Sequence, residues 1–538
     1  MLKPMNKPIH LLIPMSGQGT RYKKAGYLQP KPLIPVNGTP MIERLLACFS
    51  PKWLSHFVLA ENHRESGAES FIRRLRNDAT ISYIPEHSLG PSEAILCGLE
   101  NIPDDDAVFV SYCDYGMVWD ANRFEEFVRY SSCDSCLVSY RGFHAHYLSS
   151  VKYAYSRMAG ERVVEVREKG SFTENRENEY ASAGGYYFKS ARSLREAIQF
   201  QYANEIKVNG EFYTSLTVQS LLEMKKDSDV RVFEIPGFFQ WGTPADLQNF
   251  EFWEKSFRAY IACAGREVQV GQILMPMAGF GSRFRAVTDT LKPLIPIDGQ
   301  VMFRAALNTL PRAKKNIFVT LDSIAGAVAA EAGPGAKIVA LKETPSGQAL
   351  SVAAGLDALV PESDIIITSC DHGLAVDPDL WNGFRESPQC DAAIFVIRGY
   401  PGAARRPTAF AYVVADASDL SSTYPLVSHV SVKNPVSDAP MADNLLVGTF
   451  WFKDKTVLTA GLDELKRRDT RVNGELYLDS IFECLMSMGK KVRMIPLEGY
   501  LCWGDPDSLA EALYWQDIFV GRTIERRARF PGISKETV

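Results

Sequence analysis

The stretch Ile13–Tyr22, IPMSGQGTRY, decides the architecture because it occurs again as Met275–Phe284, MPMAGFGSRF. Outward from it, PKPLIPVNG beginning at Pro30 returns as LKPLIPIDG beginning at Leu291, and SYCDYG (Ser111–Gly116) returns as TSCDHG (Thr368–Gly373). Farther along, VNGEFY from Val208 matches VNGELY from Val472, and FFQWGTPADL from Phe238 matches YLCWGDPDSL from Tyr500. The order is kept, and the displacement is 262 residues both from Gly17 to Gly279 and from Trp241 to Trp503. That is the length of a domain, so the chain contains itself twice. The expected organisation is a first domain over 1–260, a linker over 261–273 and a second domain over 274–538. The second ends in a short basic tail with Arg526, Arg527 and Arg529.

Within each half, short apolar runs such as Ile9–Ile13, Ala107–Val110 and Ser135–Val138 alternate with helical patterns such as Ser92–Leu99 and Arg123–Tyr130. Runs apolar on both faces suit strands covered by helices on each side. The expected fold class is α/β: two similar Rossmann-like domains in tandem, each a mainly parallel mixed sheet in a three-layer α/β/α sandwich. In such sheets ligands gather at the carboxyl ends of the strands, where the repeated motifs fall.

Composition narrows the classes of function. The 538 residues, 46% hydrophobic and 23% charged, are ordinary for a soluble protein. A formal net charge of −5 argues against a broad nucleic-acid-binding surface, which depends on many phosphate contacts. No apolar run approaches the roughly 20 residues that cross a bilayer, and the start does not read as a secretory signal. A cytoplasmic protein, free to form a homo-oligomer, is expected. The ten cysteines are scattered; the close pair Cys133 and Cys136 lacks a second pair at zinc-finger spacing.

Three features carry chemistry. The first is Gly17, Gly19, Thr20 and Arg21 after the opening strand, repeated as Gly279, Gly281, Ser282 and Arg283. Glycines let backbone N–H groups approach phosphate oxygens, and a following helix would add its positive end. Alone, such a loop reads equally as a structural turn. The second is a lysine beside proline, Lys31 in QPKPL and Lys292 in TLKPL. Charge developing on a leaving pyrophosphate must be met by fixed cations. The third is an acid closing an apolar strand, Asp114 and Asp371, which reads either as a helix cap or as an oxygen ligand for a hard cation.

The GxGTR loop followed by PKPLIPV resembles the signature of the sugar-phosphate nucleotidyltransferase family, and it does so in both halves. The resemblance implies an NTP and a small phosphorylated acceptor, commonly a sugar 1-phosphate, as substrates, with Mg²⁺ as cofactor. On that reading Arg21, Lys31, Arg283 and Lys292 hold the triphosphate and Asp114 and Asp371 the magnesium. Lys169 and Lys433 grip the acceptor phosphate, while Gly184, Glu211, Gly448 and Glu475 line the acceptor pocket. Gly90, with Gly347 and Gln348 in the second copy, falls on the segment that contacts the base. Relatives that transfer CMP to phosphocholine-like compounds leave the acceptor open, with Tyr115, Trp119, Tyr186 and Tyr187 either stacking on it or belonging to the core.

The sequence also departs from the family pattern. A second metal-binding aspartate before the late GT motif is absent, and Gln240 and Cys502 stand there instead. A glutamine carbonyl still offers oxygen to Mg²⁺; a thiol suits so hard an ion poorly. Asp505 replaces Thr243 and adds a negative charge to the second half. That half is therefore left open between a second active site and a module for binding, regulation or packing. A glycosyltransferase would share an acidic metal site but would not need the GxGTR and KP pair.

Overall fold

The computed structural model describes residues 8–149, 153–386 and 390–521. The tail arginines Arg526, Arg527 and Arg529 lie outside the described residues. The chain divides into two compact units, one running through Glu251 and the other from Phe252 to Val520. The stretch 261–273 holds the end of the helix Pro244–Cys263 and the start of the strand Gln269–Pro276. The division falls inside that helix, because Phe252 already packs on Tyr400 of the second unit, ring centres 5.5 Å apart.

In the first unit the opening strand His10–Met15 is buried throughout. It runs parallel between Leu54–Ala60 and Val108–Ser111, with Thr80–Ile84 parallel beyond Leu54–Ala60. Tyr180–Phe188 is antiparallel to its three partners, Val108–Ser111, Ser135–Tyr140 and Tyr155–Ala159, and Val230–Glu234 closes that side parallel to Ser135–Tyr140. With the hairpin Tyr155–Ala159 and Arg162–Arg167 this makes a nine-stranded mixed sheet. The alternation of side chains explains the layers. Leu11 and Ile13 enter one apolar cluster with Ile42, Leu45 and Phe124, while Leu12 enters another with Ala94, Ile95 and Leu99 of the helix Pro91–Leu99. Each leucine, isoleucine or phenylalanine among them contributes about 1.5–3 kcal/mol by leaving water.

The second unit repeats the plan. Gln269–Pro276 lies parallel between Arg312–Leu321 and Ile365–Thr368, Asn444–Phe452 is the antiparallel strand, and Ala392–Ile397 with Val492–Pro496 completes the side. In each unit a small two-stranded ribbon caps the carboxyl end of the sheet: Tyr115–Val118 with Gly237–Gln240, and His372–Ala375 with Gly499–Cys502. Cys133 and Cys136 are buried free cysteines of the first unit. Among the described residues no helix is long and apolar enough to cross a membrane.

At the opposite end of the first sheet a polar chain is buried. His10 Nδ1 lies 2.9 Å from His56 Nε2, and His10 Nε2 lies 3.3 Å from Asp106 Oδ2. Burial pushes His56 down from 6.5 to about 4, helped by His10; burial also lowers His10, with Asp106 opposing. Because the unfolded chain binds the proton more readily, the stabilisation is complete above pH 6.5 and fades as pH falls toward 4. The His56 contribution alone predicts a loss of about 2 kcal/mol at pH 5 relative to pH 7.5. Thermal melts at the two pH values, compared with His56→Gln, check this. An equal pH dependence in the variant would remove His56 as its source.

Candidate active site

In the first unit the polypeptide leaves the opening strand at Ser16 and turns through Gly19, which holds φ +61°. Only one turn of helix, Thr20–Lys24, follows, and in the second unit a three-residue turn, Ser282–Phe284, replaces it. The helix end expected behind the loop is thus short, and the loop's own N–H groups and its arginine are what it offers to an anion. A Cβ on Gly19 would meet Lys31 Cβ at 3.6 Å, and one on Gly281 would meet Lys292 Cβ at 2.8 Å. In the second unit the glycine therefore also makes room for the lysine, whereas the distance in the first is an ordinary contact.

Lys31 opens the turn Lys31–Leu33 between Pro30 and Pro32, which fix its backbone. Its Nζ pairs with Asp114 Oδ2. Lys292 Nζ pairs with Asp371 Oδ2 at 2.5 Å and also donates to the Gly504 carbonyl at 3.1 Å. In that pair burial is the largest single influence and disfavours both charges, but the partner together with Cys370 and Cys502 for the lysine, and with His372 for the aspartate, outweighs it, so the lysine is raised and the aspartate held well below the usual carboxylate range. Each aspartate sits between its sheet strand and the capping ribbon, and its carbonyl accepts from the Trp241 amide (2.7 Å) or the Trp503 amide (2.8 Å).

A cleft of about 470 Å³ in the first unit brings together Gly17, Gly19, Thr20, Arg21, Lys31, Gly90, Asp114 and Glu211. These residues come from five separate segments, so the sequence motifs converge in space. Lys169 stands at one remove from the wall: it holds φ +57°, donates from Nζ to Tyr213 Oη, and Tyr213 lines the cleft. Tyr213, together with Tyr112 and His87 on the same wall, was not singled out in the sequence. For Tyr213 the signal was present, since the repeated VNGE is followed two residues later by tyrosine in both copies. In the second unit Lys433 donates to the Ala409 carbonyl, and its electrostatic neighbours include Asp479, Arg283 and Glu475.

Several glycines gain a packing explanation. A Cβ on Gly90 would fall 2.8 Å from the Phe212 backbone, and one on Gly347 would fall 2.4 Å from the Leu476 carbonyl. The turn before the helix is stitched there to the VNGE segment, through Phe212 N to Leu89 O at 2.8 Å and Leu476 N to Ser346 O at 3.2 Å. Gly184 and Gly448 both hold left-handed φ at a register shift of the antiparallel strand. Gln348 donates from Nε2 to Ser369 Oγ at 3.3 Å, toward the strand end that carries Asp371.

The tyrosines named from the sequence belong to the interior. Tyr115, Tyr186 and Tyr187 are buried, and Trp119 packs among Phe49, Trp53 and Phe124. Gln240 lies next to the site, and its Nε2 donates to Asp246 Oδ1 at 2.9 Å. Asp246, missed in the sequence, is the carboxylate facing Asp114 across Gly242: a Cβ there would lie 3.5 Å from Asp114 Oδ2 and 3.7 Å from Asp246 Oδ2. Burial raises the Asp246 carboxyl against its hydrogen bonds from Thr243 and Gln240.

The extra charge expected from Asp505 is not a net addition. Thr243 and Asp246 form a reciprocal cap, with Thr243 Oγ1 donating to Asp246 Oδ2 at 2.7 Å, and the second unit uses Asp505 and Ser508 in the same two places. The acid has changed ends of the cap, and Asp505 is further paired with Arg406 at 2.6 Å. Beside Asp371, burial keeps the Cys502 thiol above its ordinary range and so protonated. Among the described residues no group of three or more His, Cys, Asp or Glu side chains is placed to hold a metal.

The MobA-like NTP transferase domain family matches residues 11–174 and again 273–433, and the chain belongs to that family. No curated protein matches it by sequence. Among solved structures it is similar to a nucleoside-diphosphate-sugar pyrophosphorylase from Vibrio cholerae RC9 (20% identity, 45% of this chain and 99% of that one, TM-score 0.37). It is also similar to a UDP-glucose pyrophosphorylase complexed with UDP-glucose (17%, 45% and 97%, 0.36). An inositol-1-phosphate CTP transferase from T. maritima matches comparably (14%, 48% and 98%, 0.37).

Proposed function

We propose that the chain catalyses nucleotidyl transfer from an NTP to a small phosphorylated acceptor, a sugar 1-phosphate being the first candidate, in the cleft of the first unit. The observation that carries this reading is the meeting of the glycine loop, Arg21, Lys31, Asp114 and Glu211 in one cleft. An oxygen of the acceptor phosphate attacks the α-phosphorus, the bond to the β-phosphate breaks, and pyrophosphate leaves. A phosphate monoester is largely dianionic near pH 7, so no strong base is needed and the protein supplies position and positive charge. Arg21 and Lys31 meet the triphosphate; Lys169, held by Tyr213, turns the acceptor into line.

The donor set of the first unit fits magnesium. Mg²⁺ takes oxygen ligands, typically one or two carboxylates together with substrate phosphates, and Asp114 opens on the cleft with Asp246 across Gly242. Asp114 would hold the ion, and Gln240 supports the arrangement through Asp246. When bound, the ion supplies charge neutralisation on the phosphates. The second unit offers Asp371 with a protonated thiol beside it, a poorer set.

The test is pyrophosphate release with Mg²⁺, each common NTP, and a panel of sugar 1-phosphates and small amino-alcohol phosphates. The reading expects release with one base and one acceptor class, abolished by chelation. Silence with every pair would sink it. Loss only in Lys31→Ala would confine the reaction to the first unit, and loss divided by substrate between Lys31→Ala and Lys292→Ala would show two transferases.

A further inference from the structure

Around the two acceptor lysines the units share one frame but exchange a charge. Lys169 and Lys433 both hold a left-handed backbone, φ +57° and +60°. In both, the strand before the lysine is fastened by a side chain of the following helix. Gln219 Oε1 accepts from the Val166 amide at 2.8 Å, and Glu483 Oε1 accepts from the Val430 amide at 2.6 Å. In both, a tyrosine lies under the lysine, Nζ being 4.4 Å from the Tyr213 ring centre and 5.4 Å from that of Tyr477.

Within that frame the carboxylate moves. In the first unit it belongs to Glu168, directly before the lysine, and Ser215 Oγ donates to its Oε2 at 2.5 Å. The residue before the lysine and the residue two past the tyrosine are therefore in contact. In the second unit the first of these places is Val432 and the second is Asp479. Glu and Ser at these two places have become Val and Asp, and an acid is still close enough to the lysine for the two charges to act on each other. Both acids are disfavoured where they sit: burial raises Glu168, and it raises Asp479 to about 6 with Lys433 opposing. Two units that each place a disfavoured acid near the lysine, one from either of the same two positions, point to a ligand that needs it.

We propose that the second unit has an acceptor site of its own, in which Asp479 beside Lys433 is the specificity-determining carboxylate. The site takes an acceptor that carries a phosphate for Lys433 and a hydrogen-bond donor for Asp479. The donor is a hydroxyl of a sugar phosphate or the ammonium of an amino-alcohol phosphate. This rests on the transferase reading above.

The experiment uses the full chain with Lys31→Ala, so that release of pyrophosphate reports the second unit, with aldose 1-phosphates and phosphoethanolamine as the two arms. Residual release with one arm is expected and identifies the donor. Asp479→Ser should raise the acceptor KM about tenfold or more with kcat changed less than about threefold, and Val432→Glu with Asp479→Ser should return KM to within about threefold. A merely structural role for Asp479 would not give that split or that rescue. An unchanged KM in Asp479→Ser, a failed rescue in a folded double variant, or no residual release while the unaltered chain is active would each overturn the proposal and leave the first unit's activity standing. No release by the unaltered chain with any pair would instead overturn the transferase reading, and this proposal with it.

Discussion

Replacing Lys31 with alanine is expected to lower the first unit's pyrophosphate release by about 10²–10³-fold, the usual effect of removing one fixed group that meets transition-state charge. Lys31 is held between two prolines on a short turn and reaches Asp114 with its Nζ, so its position is set before any substrate binds. Most of the loss should fall on kcat, because charge on the leaving pyrophosphate grows only as the bond breaks. Lys31→Arg should recover little, since a planar fork cannot occupy the place of a compact ammonium against Asp114. Melting temperatures should stay close to those of the unaltered chain, because the pair is partly exposed, 21% for Lys31 and 27% for Asp114. With the second unit silenced by Lys292→Ala, release above about a tenth of that background's rate on adding Lys31→Ala would take the lysine out of the transition state.

The second large effect is on stability. Gly347→Ala places a Cβ 2.4 Å from the Leu476 carbonyl oxygen and 2.5 Å from its nitrogen, at a residue with φ +127°. Both contacts are backbone, so no flexible side chain can give way. The strained conformation costs about 1–3 kcal/mol and the overpacking about 1–3 kcal/mol more. Together, roughly 3 kcal/mol or more should lower the melting temperature of the second unit by about 6–12 °C. Calorimetry should show the loss in one transition and leave that of the first unit in place. A shift under about 2 °C would mean that the turn and the VNGE segment are not packed as described. Gly90→Ala, whose Cβ would meet the Phe212 backbone at 2.8 Å, should act in the same direction on the first unit.

Much of this arrangement is legible in the residues. The repeated glycine loop, the lysine between rigid neighbours and the acid at the strand end each announce a local geometry, and they do converge. Gly90 and Gly347 show where such reading stops. A glycine before a helix reads as a place for a ligand, and Gly90 does line the cleft, but the neighbour that leaves no room for a Cβ is backbone more than 120 residues away in sequence. Gln240 is a similar case. Its carbonyl is an oxygen that the sequence offers to a metal, and the structure adds what its amide nitrogen holds: Asp246, an acid that as part of GTPADL looks only like a helix cap. Asp505 was read as an added charge because its counterpart, Asp246, lies three residues away from the aligned position.

Apolar periodicity, the internal repeat and the spacing of glycine, lysine and aspartate are properties of neighbouring residues. Those features by themselves determined the class of fold, the duplication and the chemistry of the motifs. Which groups face one another across strand ends was decided only by the tertiary structure. Lys31 meets Asp114 beyond two parallel strands, while Lys169 meets Tyr213, Glu168 meets Ser215, and Asp479 stands near Lys433 where an antiparallel pair of strands ends beside the start of a helix. A contact closed over 40 or 80 residues leaves no local pattern to read. Its energy comes from burial and charge at a distance that the linear order does not encode.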